Sequence, residues 1–513
     1  MALDNTLGIE ITAQETLLSR VKELSAAGAH PLTAMFGRDE SVVSDGKRFL
    51  SIYIVFEILE EQRMHTLKLE FAQGDELSFP TITQIVPAAA WYEREIQDMF
   101  GLRSAGHPDP RPLVLHENFP EGYHPLLKST ANSTAPRSAE DKHIPFMHIA
   151  RGEGLFEVPV GPIHAGIIEP GHFRFTQAGE AMLNLDAKLF YTHRGLEKTM
   201  EGKTVNDALP IIERICGACS VANTWSYVQA VESIAGAEVP KRAECIRTLL
   251  LEYERLINHV GDLGNIPAGV GFSPAISLGS RAKERLMRMA EALTGNRFLR
   301  GLIIPGGVRF DISRELRAEI RELMDSVSKD AADIAQEFSE QESFRNRVQT
   351  TGIITYKTAV DLAMVGVGAR ASGFLHDSRK DFSYGLYPAL EFSAAMENTG
   401  DVSARIAVRI AEINTSITLI EYLLDLLELD MSDTMTVSFS PKEGEGYGIS
   451  ESARGSNFHY VALDANGCID RIFVRSASYA NWPAVPVAVH GDIIPDFPLI
   501  NKSFELCYAC IDR

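Results

Sequence analysis

At 513 residues the chain is long enough for two or three domains and for a fully buried site. Hydrophobic residues make up 45% and charged residues 23%, an ordinary globular balance, with no low-complexity tract and no repeat. Asp plus Glu number 69 against 49 Lys plus Arg; the net charge of −20 speaks against a nucleic-acid partner, which needs concentrated positive charge.

The opening stretch, MALDNTLGIEITAQETLL, has no basic run followed by an apolar one, so no signal peptide is expected. No segment reaches the roughly 18–20 apolar residues that span a bilayer. The expectation is a cytoplasmic chain that meets a membrane only through other subunits. Up to about Lys128 the pattern is α/β. Phe49–Ile58 is an apolar run rich in β-branched and aromatic residues, and Leu67, Leu69 and Phe71 alternate with Lys68 and Glu70. Ala88–Met99 has helical spacing and stops at Phe100–Gly101, before a Pro-rich loop. Residues 129–145, STANSTAPRSAEDKHIP, read as a linker.

Beyond it, strand-like pieces (Phe156–Ile168, then Phe173 and Phe175) give way to long helices. One runs from Lys241 to about Val260, another follows Asp311 or Ser313, and a third covers about Val402–Leu427. Their apolar residues recur at steps of three and four, the stripe of a helical bundle's packing face. After Thr434 short strands and turns return. The fold class is therefore α+β: an N-terminal α/β domain over 1–128, a linker over 129–145, and a mainly helical domain over 146–513 with short β elements at both ends.

Six cysteines are too few for a secreted disulfide scaffold. Cys216/Cys219 and Cys507/Cys510 form two C-x-x-C pairs, whereas Cys245 and Cys468 stand alone and read as buried apolar residues. Thiolates are soft ligands for zinc, copper(I), iron–sulfur clusters or nickel, and a C-x-x-C turn offers two sulfurs to one metal. The pairs share a metal only if the end of the chain folds back beside Cys216. No His follows either pair, which excludes c-type haem attachment. A thioredoxin-like redox pair and a structural Cys₄ zinc site stay open on the residues alone.

The residues around the pairs resemble a known family. Arg214-Ile-Cys216-Gly-Ala-Cys219 is similar to the R-x-C-G-x-C motif of [NiFe] hydrogenase large subunits. Cys507-Tyr-Ala-Cys510-Ile-Asp-Arg513 is similar to their C-x-x-C-x-x-[HR]. GlyProIleHis (161–164), GluProGlyHisPheArg (169–174), HisArgGlyLeuGlu (193–197), AlaArgGly (453–455) and SerTyrAlaAsnTrpPro (478–483) follow in the expected order. TrpTyrGluArgGluIleGlnAspMetPheGly (91–101), GlyHisProAspProArg (106–111) and TyrHisProLeu (123–126) resemble the complex I peripheral-arm subunit that precedes the quinone-site subunit. The fusion of the two is characteristic of the energy-converting, formate-hydrogenlyase-like group.

The resemblance implies that Cys216 and Cys507 are terminal nickel ligands. Cys219 and Cys510 would bridge nickel to an iron that carries carbon monoxide and cyanide. It implies Arg454 as a guanidinium over the open metal position, Glu169 as first proton carrier, and Glu197 as ligand of a further magnesium or iron ion near the chain end. His107, His124, His172 and Arg174 read as structural. With no other cysteine set, electrons would leave through an iron–sulfur small subunit carrying a [4Fe–4S] cluster. Antiporter-like membrane subunits are implied as partners, with room for a formate dehydrogenase, and the substrates are H⁺ and H₂. A quinone-reductase-type subunit, or a scaffold holding zinc or no metal, is the alternative. Three features depart from the pattern. Asn223 stands where many relatives have His, Glu505-Leu506 where they have AspPro, and the chain stops at Arg513, where many carry a removable extension.

Overall fold

The computed structural model of the chain describes residues 8–26, 31–41, 49–131, 136, 152–164, 169–382, 384–429 and 434–513. The N-terminal part is built on a four-stranded sheet, ordered Gly8–Ile11, Arg63–Ala72, Phe49–Ile58, Leu32–Asp39. The first pair is parallel and the others are antiparallel. Leu67, Leu69 and Phe71 are buried while Glu70 is exposed, the alternation of a strand with one wet face. The Ala89–Phe100 helix packs across the Leu32–Asp39 strand. Gly37 permits the approach, since a Cβ there would stand 2.5 Å from the Phe100 ring. Asp98 on this helix accepts the N–H groups of Leu113, Val114 and Leu115 at 2.8, 2.8 and 3.1 Å, which fixes the Pro-rich loop. Burial pushes its carboxyl up to about 6 against those bonds. His107 bonds the Ala90 carbonyl at 3.0 Å and His124 that of Asp98 at 2.9 Å.

Most of 129–145 lies outside the described residues, as does 165–168 at the end of the expected Phe156–Ile168 strand. The strand that forms is Leu155–Val160, in an antiparallel sheet with His172–Ala178 and Ala181–Lys188. Arg174 pairs with Glu157 across it at 2.8 Å.

The helical stripes close into a ring of four. The Lys241–Asn265 helix packs on Val402–Glu428 and on Ser273–Thr294, and Arg314–Glu340 packs on the latter two. Ser313 and Asp401 cap their helices by accepting the N–H of Leu316 at 3.3 Å and of Ala404 at 2.8 Å. The Ser273–Thr294 helix was not among the sequence expectations. Its start, SerPro, reads as loop, although Pro is compatible with a helix's first turn.

The Val402–Glu428 helix buries a charged side as well as its apolar stripe. Arg255 and Arg370 meet Glu412 at 2.6 and 2.5 Å, and Arg370 reaches Glu451 at 2.9 Å. Arg379 bridges Asp377 and Glu252 at 2.6 and 3.0 Å. His376, in the same region, bonds Glu57 of the N-terminal sheet at 2.7 Å. Each of these charges is desolvated, so its partner is needed to keep it in place.

The last sheet is antiparallel, Gly444–Ser452, Gly455–Leu463 and Ile469–Arg475, and the Ser220–Ala235 helix lies on it. It also meets the N-terminal part. Arg38 pairs with Glu445 at 3.2 Å and Asp470 at 3.0 Å, and the rings of Phe36 and Phe473 stack 4.6 Å apart. The chain then returns through Phe497–Phe504 and Tyr508–Asp512. Among the described residues no helix is long and apolar enough to cross a membrane.

Candidate metal centre

The return of the chain brings the two C-x-x-C pairs together. The Sγ atoms of Cys216, Cys219, Cys507 and Cys510 all lie within 4.8 Å of one another, and all four thiols are free. Each pair sits at a helix start. Cys219 stands at the N-cap position of the Ser220–Ala235 helix and Cys507 at that of the Tyr508–Asp512 helix. The Ala218 N–H donates to Cys216 Sγ at 3.2 Å. Hydrogen bonds from Cys219, Cys507 and Cys510 hold the Cys216 thiol well below its usual range, while the Cys219 and Cys510 thiols are pushed up. Four thiolates need a metal to neutralise them.

Arg194 staples the two cysteine limbs. Its Nη2 donates to the carbonyls of Ile215 and Ala509, both at 2.8 Å, and its Nη1 to that of Arg214 at 3.0 Å. Ser478 fixes the second limb by accepting the Cys507 N–H at 2.9 Å. The segment HisArgGlyLeuGlu thus does its work through the arginine, whose role the sequence reading did not assign.

Arg454 sits in the turn between the first two strands of the last sheet, 7% exposed. Its guanidinium forks onto Asp262 with two bonds of 2.9 Å, and Nε donates to the Glu505 carbonyl at 2.8 Å. Asp262 holds Arg409 as well, at 3.0 Å. Asp262 first, then Cys507, Glu505 and Cys219 raise the basicity of Arg454 against its burial, which places its charge beside both cysteine limbs. A surface salt bridge is excluded by that burial. Asp262 itself was not legible, being one of four acids on its helix, with Glu244, Glu252 and Glu254.

Glu169 is exposed in the isolated chain. Its charge adds to burial in raising the Tyr508 and Asp512 side chains, so it stands near the second cysteine limb. Glu197 is held by donors of the chain itself. Its Oε2 accepts from Arg471 at 2.7 Å, and its Oε1 from Arg513 at 2.9 Å and the Val474 N–H at 3.1 Å. A carboxylate already held by two guanidiniums does not fit a magnesium or iron ion. Among the described residues the four cysteines are the one group of three or more potential metal ligands. Cys245 is buried as expected, but Cys468 is only half-buried, its N–H donating to Asp464 at 2.8 Å in a turn.

The four sulfurs form a soft donor set that fits nickel and iron. Asn223 is fully buried one turn after Cys219, and its Nδ2 has no protein partner, which leaves a donor for a group held in the site. Its Oδ1 accepts from Asn457 at 3.3 Å.

Comparison with known proteins agrees with this arrangement. Residues 194–261 match the family described as nickel-dependent hydrogenase. Residues 10–135 match the 30 kDa subunit of respiratory-chain NADH dehydrogenase, and residues 269–437 and 429–513 its 49 kDa subunit. Hydrogenase-4 component G of Escherichia coli K12 is 34% identical, over 94% of this chain and 84% of that protein. Formate hydrogenlyase subunit 5 of the same organism is 33% identical over the same shares. A chain of an archaeal membrane-bound sulfane sulfur reductase superposes with a TM-score of 0.67 at 28% identity, covering 71% of this chain and 100% of that one. The chain belongs to the complex I-related hydrogenase large subunits, in which 30 kDa-like and 49 kDa-like respiratory-chain regions are fused around a nickel-dependent hydrogenase segment.

Proposed function

We propose that the chain is the catalytic large subunit of a membrane-associated [NiFe] hydrogenase, evolving H₂ from protons and electrons within a formate-hydrogenlyase-like complex. The convergence of Cys216, Cys219, Cys507 and Cys510 on one buried point carries the reading. A nickel–iron centre with carbon monoxide and cyanide on the iron, held by these sulfurs, supplies the heterolytic making and breaking of H₂. The chain's own residues do the rest. Asp262 aims the Arg454 guanidinium beside the cysteines and keeps it charged, and the Asn223 amide, one turn after Cys219, offers a hydrogen-bond donor. Glu169 takes up or delivers the proton at its carboxylate, at the solvent-facing end of the second limb. The packed bundle and last sheet exclude bulk water from Arg454 and three of the four cysteines.

Residues 1–128 and 146–513 act as the two functional units, with 129–145 between them. The centre would pass electrons to an iron–sulfur small subunit. Antiporter-like membrane subunits, with a formate dehydrogenase as electron donor, would hold the assembly on the cytoplasmic face.

A second reading, a complex I-like subunit without nickel, draws on the 30 kDa and 49 kDa matches and on Glu505-Leu506 before Cys507. Infrared spectroscopy of the matured protein separates the two. One carbon monoxide and two cyanide bands are expected; their absence from nickel-replete protein refutes the hydrogenase reading.

A further inference from the structure

Arg513 is 3% exposed and lies in a slot lined by both parts of the chain. Its Nη2 donates to both oxygens of Glu95, on the N-terminal Ala89–Phe100 helix, at 2.7 and 2.6 Å. Its Nη1 donates to Glu197 at 2.9 Å and to the Val474 carbonyl at 2.5 Å. The rings of Phe473 and Tyr479 flank the guanidinium, 5.4 and 5.0 Å from Cζ to the centroids. We propose that Arg513 is itself the cation of this acidic slot, standing where a divalent ion would otherwise be needed, and that its docking between Glu95 and Glu197 positions the Cys507–Cys510 limb.

Charge balance supports this. Glu95 and Glu197 bring two negative charges, and Arg471 and Arg513 bring two positive ones. Lys198, which also lines the slot, is paired with Glu201 at 2.8 Å, and His193 is kept neutral, since burial lowers it to about 4. A divalent ion added to this set would leave an uncompensated buried charge, which is strongly unfavourable. The walls agree, because aromatic faces suit a planar, weakly hydrated guanidinium better than a hydrated metal ion.

The link to the cysteines is short. Between Cys510 and Arg513 the backbone is pinned at Asp512, whose carboxylate accepts the Thr192 N–H at 2.9 Å and whose carbonyl bonds His193 Nδ1 at 2.5 Å. Arg194 then takes the Arg513 carbonyl through its N–H at 2.8 Å while its side chain staples the two limbs. A guanidinium seated in the slot therefore fixes the register of the helix that carries Cys510. Arg513 is a positioning residue in this scheme, and Glu95 makes the N-terminal part a receptor for the end of the second limb.

The inference rests on the nickel–iron reading only where it concerns the cysteine limb. Metal analysis of the purified wild-type complex should give magnesium far below one per nickel. One tightly held magnesium or additional iron per nickel, lost in Glu197→Gln, would overturn the proposal. Arg513→Ala opens a guanidinium-sized hole. Guanidinium chloride at millimolar concentration, too dilute to denature, should raise its melting temperature where magnesium chloride does not; the reverse pattern refutes the proposal. That readout holds whether or not nickel is bound, so it survives failure of the hydrogenase reading, which the infrared bands of the wild type decide. Arg513→Lys keeps one charge, loses the planar fork and should fold. Shifted or broadened carbon monoxide and cyanide bands are expected of it, and bands identical to wild type count against the positioning role.

Discussion

The sharpest test of the site is Arg454→Lys, which keeps the positive charge and removes the fork. Arg454 makes three charge-assisted bonds, two to Asp262 and one to the Glu505 carbonyl. A lysine can reproduce one of them. Two lost bonds at about 1.5 kcal/mol each come to about 3 kcal/mol of orienting energy. If all of it is expressed in turnover, the rate falls on the order of 10²-fold. Hydrogen evolution with a reduced viologen dye, normalised to nickel content, measures this. Infrared bands recorded on the same sample confirm that the centre is intact. Turnover within threefold of wild type at equal nickel would show that charge alone suffices and that the fork on Asp262 is irrelevant. Loss of nickel would show instead that Arg454 serves assembly, and would equally refute the reasoning.

Replacing any of Cys216, Cys219, Cys507 or Cys510 by Ser should abolish nickel incorporation, while Cys245→Ser and Cys468→Ser should not; metal analysis decides. Glu169→Gln should lower turnover about 10²- to 10⁴-fold with nickel content and infrared bands unchanged, and near-normal rates would remove Glu169 from the proton route. His376 is opposed by burial yet raised to about 9 by Glu57, Asp381 and Glu451. Its folded-state value lies above the unfolded one, so its stabilisation is complete below about pH 6.5 and fades as pH rises through about 9. The melting temperature should fall across that window by more in wild type than in His376→Gln; parallel curves would contradict the assignment.

What the sequence revealed depended on whether the signal was local. The strand alternation at Leu67–Phe71 and the capped helices after Ser313 and Asp401 need only neighbouring residues, and they form as the periodicity requires. Cysteine spacing showed two candidate ligand pairs, but only the resemblance put them on one metal, because nothing near either pair encodes their meeting. The buried ions were opaque for the same reason. Glu95 looks like a surface acid of an amphipathic helix, and its partner lies 418 positions away. Arg405, Arg409 and Glu412 interrupt no apolar stripe, so the helix was legible while its charged side was not. Glu197 was legible by its motif, and its guanidinium partners were not. The acid stands in its expected place, but the guanidiniums around it decide what it can hold.

The same long-range pairs impose an order on biosynthesis. Arg38, Glu57 and Glu95 are translated early, and the groups that satisfy them, Asp470, His376 and Arg513, emerge much later from the ribosome. The N-terminal sheet can form at once, but its polar face stays wet until the last strand and the second cysteine limb arrive. In a single polypeptide that meeting is intramolecular, at an effective concentration on the order of millimolar, and it cannot be diluted away. Two separate chains with the same surfaces would have to find each other across a face lined with unpaired charge.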